Sequence, residues 1–100
     1  MKKISKKDIE DALSKIMHLE INYSLVELGM IKDIEIEDAA VSVTLVLPFL
    51  DIPIKKDLIN LIKESIRNLD KNIKIKIKIA EMNEKEKERF IKLAREGWKV

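Results

Sequence analysis

The chain has 100 residues, 46% of them hydrophobic and 38% charged, and its 20 basic and 18 acidic side chains give a formal net charge of +2. This length accommodates one domain with a single modest core, and the nearly balanced charge excludes a strong field for nucleic acid or anionic lipid. Without cysteine, the chain has no disulfide, no thiolate nucleophile and no sulfur ligand for a metal. We therefore expect one domain over residues 1–100, with no cofactor and with neither nucleic acid nor a membrane as a partner.

The start of the chain and its apolar runs favour the cytoplasm. Residues 1–5 are not followed by the apolar stretch of a secretory signal, and no apolar run approaches the ~20 residues needed to cross a bilayer. Abundant Lys, Glu and Ile without Cys is common in heat-adapted proteins, although an AT-rich genome produces the same bias.

The first part of the chain predicts a helix followed by an irregular segment. Ser5, with Asp8 three residues later, has the pattern of a capping box, and apolar residues then recur at helical spacing to about His18. In the irregular segment we expect Ser24 to cap a short turn that ends at Gly29, because glycine tolerates a positive φ.

Two strands are predicted next. Apolar and polar side chains alternate over residues 31–37 and again over residues 41–47, and we expect a tight turn at Asp38 and Ala39 between them. This pattern predicts a β-hairpin with one buried face.

The second half of the chain predicts a loop, a helix, a strand and a helix. Residues 48–53 form an apolar loop bounded by two prolines, and the helix after it ends at residues 70–72. Isoleucine and lysine alternate over residues 73–79, which is the clearest strand pattern in the chain. Asn83 and Glu86 form a second capping-box pattern. The residues expected to face the core are Leu58, Ile59, Ile62, Ile66 and Leu69 in the first of these helices and Phe90, Leu93, Ala94 and Trp98 in the second.

This order of elements, α-β-β-α-β-α, predicts an α+β fold in two layers. A three-stranded mixed sheet should carry the helices on its Ile/Val face. Because the second strand reaches the third through a helix, those two strands should be parallel with a right-handed crossover. The order of the strands within the sheet stays open.

The residue types needed for common active sites are absent. Gly29 and Gly97 are the only glycines, so no glycine-rich loop can cradle a phosphate. A single histidine without cysteine excludes the usual zinc sites, and no serine has the flanking glycines of a nucleophile elbow. These gaps predict that the chain is not an enzyme.

His18 is the one residue that suggests a metal site. Glu20 lies two positions later, but that spacing does not direct both side chains to one ion. We favour instead a histidine at the end of the first helix that interacts with the helix dipole.

Lys74, Lys76 and Lys78 have two interpretations. They could form a basic stripe for RNA, or they could lie on an exposed sheet face and form cross-strand ion pairs with Glu35 and Glu37. We favour the ion pairs, because they need no additional partner.

The 48–53 loop is apolar at a place where loops are usually polar. Phe49, Leu50 and Ile52 either plug one end of the core or form an exposed patch that docks a partner. Both interpretations stay open, because a loop held by two prolines is also a good preformed binding surface.

The run Ser-Leu-Val-Glu-Leu-Gly-Met-Ile at residues 24–31 resembles the PaaD/SufT-like iron–sulfur assembly domain, which also occurs at the N-terminus of some Mrp-type P-loop ATPases. In that family the run follows an Asp-Pro-Glu or His-Pro-Glu element, and His18, Leu19 and Glu20 stand in its place here. The resemblance covers essentially the whole chain and implies the fold predicted above.

Two departures from the family pattern bear on function. Leu19 replaces the proline of the first element, and by the same match Ile52, before Pro53, occupies the position of the family's reactive cysteine. A thiolate is the usual ligand for an iron–sulfur cluster. The resemblance therefore implies an adaptor that docks a cluster carrier or its client without holding a cluster.

We accordingly predict an accessory, non-enzymatic role in iron–sulfur cluster assembly through protein docking. The implied partners are iron–sulfur assembly proteins, client apoproteins or an Mrp-type P-loop ATPase. The expected partner-binding residues are Glu20, Glu27, Gly29, Phe49, Leu50, Asp51, Ile52 and Pro53.

Two other functions stay open. A KH-like nucleic-acid-binding module has a similar order of elements, but it needs a Gly-x-x-Gly loop, which the sequence lacks. The other alternative is a structural domain that forms homo-oligomers through the exposed loop.

Overall fold

Three helices and three strands make up the computed structural model, which describes residues 4–38 and 40–98. The elements are α1 (Lys6–Ser14), β1 (Ile31–Glu37), β2 (Ala40–Leu47), α2 (Lys55–Arg67), β3 (Lys74–Glu81) and α3 (Glu84–Gly97). The predicted α-β-β-α-β-α order and the α+β class are confirmed. None of the helices in this part of the chain has the length and apolar character that a membrane span needs.

Both predicted capping boxes are present. The Asp8 backbone N–H donates to Ser5 Oγ at 3.1 Å, and the Ser5 N–H donates to the Asp8 carboxylate at 3.0 Å. Asn83 and Glu86 make the same exchange at the start of α3. Each box satisfies N–H groups that the beginning of a helix would otherwise leave without partners.

α1 ends earlier than the sequence predicts, at Ser14 rather than at about His18. The reason is a local pairing of the chain with itself, in which Met17 forms an antiparallel β-bridge with Ser24. Residues in that pairing adopt extended backbone conformations and cannot continue the helix.

β2 is the central strand of the sheet, whose order is β1-β2-β3. It runs antiparallel to β1, with Ile31 opposite Leu45, and parallel to β3, with Val43 opposite Ile77. The predicted parallel pairing of the second and third strands is confirmed. The strand order, which the sequence leaves open, follows from these two registers.

The pairing of β1 with β2 is irregular near its middle. The register shifts between Lys32 and Glu35, and Asp33 has a φ of 50°. Such a bulge bends the strand and increases its twist. At the predicted turn, Asp38 has a φ of 52°, and Ala39 lies outside the described residues.

α1 and α2 cover the apolar face of the sheet. α1 contacts α2 and β1, and α2 contacts β3. The completely buried side chains of these elements are Ile9 and Leu13 from α1, Val41, Val43, Leu45 and Leu47 from β2, and Leu58, Ile62 and Ile66 from α2. Ile75 and Ile77 of β3 pack against this cluster and are partly buried. Leu69 was predicted to face the core, but it follows the end of α2 and is exposed.

The opposite face carries the predicted lysine stripe but not the predicted ion pairs. Glu35, Ser42 and Lys76 form one row across the three strands. Since neighbouring strands are ~4.8 Å apart, the backbones of Glu35 and Lys76 are roughly 10 Å apart with β2 between them. Within residues 4–38 and 40–98, no ion pair joins β1 to β3. The ion-pair prediction is wrong because it treated two strands as neighbours that the sheet separates.

Val43 is completely buried at the centre of the sheet. Val43→Asp is expected to lower the free energy of unfolding by about 3–5 kcal/mol, because it places an unpaired charge in the core. Ser42→Asp is the matched control, since Ser42 lies on the opposite face in register with Lys76, and it should cost less than about 1 kcal/mol. Urea unfolding measures both losses, and equal losses would contradict the assignment of the two faces.

Candidate partner-binding site

The sheet brings two predicted parts of the site to one end of the molecule. The Val46 N–H donates to the Met30 carbonyl at 2.8 Å, so the turn that ends at Gly29 lies beside the last residues of β2. The 48–53 loop starts directly after β2. Gly29 and the loop share this end of the sheet because β1 runs antiparallel to β2.

The predicted turn from Ser24 to Gly29 is confirmed and is a small capping box. The Glu27 N–H donates to Ser24 Oγ at 3.1 Å, and the Ser24 N–H donates to Glu27 Oε1 at 2.9 Å. The Leu28 N–H donates to the Ser24 carbonyl at 3.1 Å, and Gly29 has a φ of 76°. Part of the hydrogen-bonding capacity of Glu27 is therefore used within its own turn, although its side chain is exposed.

His18 lies inside the protein rather than at the end of a helix. Its side chain is buried, its Nδ1 accepts a hydrogen bond from the Glu20 N–H at 2.9 Å, and its ring meets Phe90 edge-on at 6.4 Å between centroids. Because α1 ends at Ser14, the predicted interaction with the helix dipole is wrong. Over the described ranges, no group of three or more His, Cys, Asp or Glu side chains could hold a metal ion.

The 48–53 loop divides into buried and exposed side chains. Pro48 is buried, and Ile52 is partly buried against the core. Phe49 and Leu50, between them, expose 53% and 48% of their surfaces. The two ends of the loop therefore close the core, while its middle presents an apolar patch. We call Phe49 and Leu50 the loop patch.

Two basic side chains, Lys55 and Lys87, contact the loop patch from different elements. Lys55 Nζ donates to the Leu50 carbonyl at 3.2 Å, and the Lys55 N–H donates to the Ile52 carbonyl at 3.2 Å. Lys87 Nζ lies 4.9 Å from the centroid of the Phe49 ring, which is a cation–π contact. These contacts restrict the conformations that the loop can adopt.

The other predicted site residues are exposed but are not all assembled with the loop. Asp51 and Pro53 are exposed within it, and Glu20 and Glu27 are exposed in the segment before β1. Among the described residues, no hydrogen bond or ion pair joins Glu20 or Glu27 to the loop. The structure thus brings Gly29 and the loop to one end, whereas neither carboxylate is bonded to the loop in the described residues.

The first turns of α3 contact both halves of the site. Lys87 covers Phe49, and a Cβ added at Gly29 would stand 3.7 Å from Arg89 Nη1. Glu86 forms an ion pair with Lys32, and this hydrogen bond holds the pKa of Glu86 below its ordinary value. The sequence marks Glu86 only as part of a capping box and does not mark Lys87 or Arg89, because nothing in the chain signals which surface a helix will cross.

At the carboxyl end of α3, Gly97 allows the helix to pack closely against Tyr23. A Cβ at Gly97 would stand 2.8 Å from two ring carbons of Tyr23, so no larger residue fits without displacing the ring. The Asn22 N–H donates to the Gly97 carbonyl at 2.6 Å, and the Tyr23 hydroxyl donates to the Glu96 carboxylate at 3.3 Å. Partial burial, together with the negative charge of Glu96, raises the pKa of Tyr23.

Trp98 is not a core residue, contrary to the prediction. It follows the end of α3 in an extended conformation, forms a β-bridge with Ile21 and exposes 54% of its surface. Since the helix ends at Gly97, helical spacing no longer predicts its direction. Phe90 is buried as predicted, and Leu93 and Ala94 are partly buried.

The segment before β1 exposes further apolar side chains that were not among the predicted site residues. Met17, Leu19 and Val26 are each nearly half exposed. For Leu19 and Val26 the available signal was the same one that marked the 48–53 loop, namely large apolar residues in a segment without helical or strand spacing. Met17 instead lies within the helical spacing that predicts α1 to about His18.

The Ser24 hydroxyl should contribute measurably to stability. Ser24→Ala removes the side-chain acceptor of the turn and is expected to lower the free energy of unfolding by about 1 kcal/mol. Ser14→Ala is the control, because Ser14 is exposed and its hydroxyl donates only to the Asp11 carbonyl. Chemical denaturation of both variants measures the difference, and equal stabilities would contradict a capping role.

Comparisons with known proteins agree with this architecture. A family model described as iron-sulfur cluster assembly protein matches residues 6–79, which include the Ser24–Gly29 turn and the 48–53 loop. A search of curated proteins gives no significant match.

One solved structure is similar over nearly the whole chain. It is the crystal structure of a domain of unknown function, DUF59, from Bacillus anthracis, with a TM-score of 0.72, 14% sequence identity and coverage of 91% of each chain. At this identity the likeness shows the fold alone.

Proposed function

This chain belongs to the iron–sulfur cluster assembly protein family, and from that premise we propose that it acts in the cytoplasm as a non-enzymatic adaptor that docks other proteins of cluster assembly. Its proposed partners are iron–sulfur assembly proteins, client apoproteins or an Mrp-type P-loop ATPase. The proposed contact is the loop patch, supported by the polar residues around it.

The observation that carries this proposal is the exposure of Phe49 and Leu50 on a braced loop. Fully burying a large apolar side chain is worth about 1.5–3 kcal/mol, so covering both by a partner would be favourable. Lys55 and Lys87 contact the loop, and such contacts reduce the conformational entropy that is lost on binding.

The donor groups of the chain do not fit an iron–sulfur cluster. The sequence contains no cysteine, and thiolates are the usual cluster ligands. Ile52, which precedes Pro53, is an apolar side chain packed against the core. The cluster is therefore cargo that a partner carries, and the chain contributes binding surface only.

Acidic and backbone groups are proposed to lie at the border of the interface. Glu20 and Glu27 are exposed carboxylates, and Gly29 has no side chain to hinder a close approach to its backbone. Polar groups at the rim of an interface fix orientation and contribute less to affinity than a central apolar anchor.

The charge around the loop patch indicates the kind of surface that fits it. Lys55 and Lys87 contact the patch directly, and Asp51 is exposed within the loop. A matching partner presents an apolar recess with acidic groups facing the two lysines and basic groups facing the carboxylates.

The double variant Phe49→Ser, Leu50→Ser tests the docking surface. Because both side chains are half exposed, we expect a near-native thermal melt, with affinity for a purified assembly partner reduced at least about tenfold. Leu69→Ser is the matched control, since Leu69 is an exposed apolar residue far along the chain from the loop. Calorimetry against purified assembly proteins, client apoproteins and an Mrp-type ATPase measures affinity. Unchanged affinity in the double variant would refute the surface, and loss of the fold would show that the patch is structural.

Anaerobic reconstitution tests whether the chain holds a cluster. After incubation with iron and sulfide and subsequent desalting, the protein is expected to be colourless and free of iron, because it offers no thiolate. Visible absorption with bound iron in stoichiometric amount would overturn this expectation and redirect attention to the carboxylates and His18.

A further inference from the structure

α3 has an apolar stripe on its outer side in addition to the one that faces the core. Phe90 and Gly97 are buried on the inner side, whereas Ile91 and Trp98 expose 39% and 54% of their surfaces. Both side chains line one shallow groove. Ile91 and Trp98 therefore border one outer surface, which the loop patch does not include.

Two adjoining shallow grooves run along this outer surface. One, of about 370 Å³, is lined by Ile91, Ala94, Arg95 and Trp98. The other, of about 350 Å³, is lined by Glu88, Ile91, Lys92, Arg95 and Glu96. Because they share Ile91 and Arg95, they form a continuous trough, which we call the α3 trough.

The family model matches residues 6–79, and α3 begins at Glu84. The α3 trough therefore lies outside the matched stretch.

The charges of the α3 trough are self-complementary. Glu88 and Arg95 have opposite charges, lie seven residues apart and flank Ile91. If two copies of α3 lie antiparallel with a two-fold axis near Ile91, Glu88 of each copy faces Arg95 of the other. A parallel arrangement would instead place like charges together.

We propose that the α3 trough binds a second copy of this chain, with the two α3 helices antiparallel. A two-fold interface of this kind uses the same patch on both subunits. The Ile91 side chains meet near the axis, and the second copy covers Trp98, which lines the same groove as Ile91. Lys92 also lies near the axis, where the two copies would bring two positive charges close together. Glu88 and Glu96 lie one helical turn before and after Lys92, and their negative charges reduce this repulsion.

The size of the surface predicts a weak, reversible dimer. A helix of this length is ~21 Å long, and an interface limited to one helix pair lies at the small end of specific interfaces. The exposed Trp98 gives it one large apolar anchor, a residue type enriched among those that dominate binding energy. The loop patch lies elsewhere, so the dimer and the proposed docking function can fail independently.

Sedimentation equilibrium and tryptophan fluorescence test the dimer together. Trp98 is the only tryptophan, so its emission should shift to the blue as protein concentration rises from about 1 µM to 1 mM. Glu88→Arg and Arg95→Glu should each raise the dissociation constant at least about tenfold. Each substitution gives positions 88 and 95 the same charge, and the two-fold axis repeats that repulsive contact at two places in the dimer. An equimolar mixture of the two variants, and the double variant Glu88→Arg, Arg95→Glu, should dimerise again.

Two controls keep the result interpretable. Glu64→Arg and Arg67→Glu make the same charge changes on exposed positions of α2 and should dimerise like the native chain. Ile91→Ser, at an exposed position, should weaken dimerisation while leaving the circular-dichroism melt near native. A native chain that stays monomeric at 1 mM, a dimer insensitive to the α3 reversals, or a dimer without the fluorescence shift would each overturn the proposal.

Discussion

β2 is hydrogen-bonded to a strand on each side, and the registers of these two pairings determine where the parts of the proposed site lie. Its antiparallel pairing with β1 carries Gly29 to its carboxyl end. Its parallel pairing with β3 brings α3 to that same end, because parallel strands finish together. A slip of one residue in either register would exchange the two faces of a strand. The fully buried Val41, Val43, Leu45 and Leu47 prevent such a slip, and core packing thereby fixes the position of the loop patch.

α3 contacts two irregular parts of the chain, the 48–53 loop and the segment before β1. At the start of α3, Lys87 contacts the Phe49 ring and Glu86 forms an ion pair with Lys32. At the end of α3, Gly97 packs closely against the Tyr23 ring. The segment between α1 and β1 has little regular structure of its own, so this helix supplies contacts that strands or helices would supply elsewhere. One face of α3 therefore stabilises the domain, and its outer face stays free for another role.

The sequence predicts the parts of this fold that depend on neighbours in the chain. The capping boxes at Ser5 and Asn83, the alternation in the strands and the left-handed glycine after the Ser24 turn are local, and local chemistry is sufficient to find them. The errors concern contacts between distant segments. The end of α1 depends on the pairing of Met17 with Ser24, and the absent ion pairs depend on β2 lying between β1 and β3. For the site, the sequence marks the 48–53 loop as unusual, but only the fold shows that Ile52 faces inward while Phe49 and Leu50 face outward.

The bulge at Asp33 and the lysines of β3 also affect how readily the sheets of separate molecules could pair at their edges. β1 and β3 each leave one row of backbone groups available for a further strand, which is how sheets of separate molecules join into aggregates. The bulge breaks the regular hydrogen-bonding pattern that an incoming strand would have to match on β1. On β3, an identical strand would bring Lys74, Lys76 and Lys78 against their own copies. Both edges of the folded sheet thus oppose the addition of a strand from another molecule.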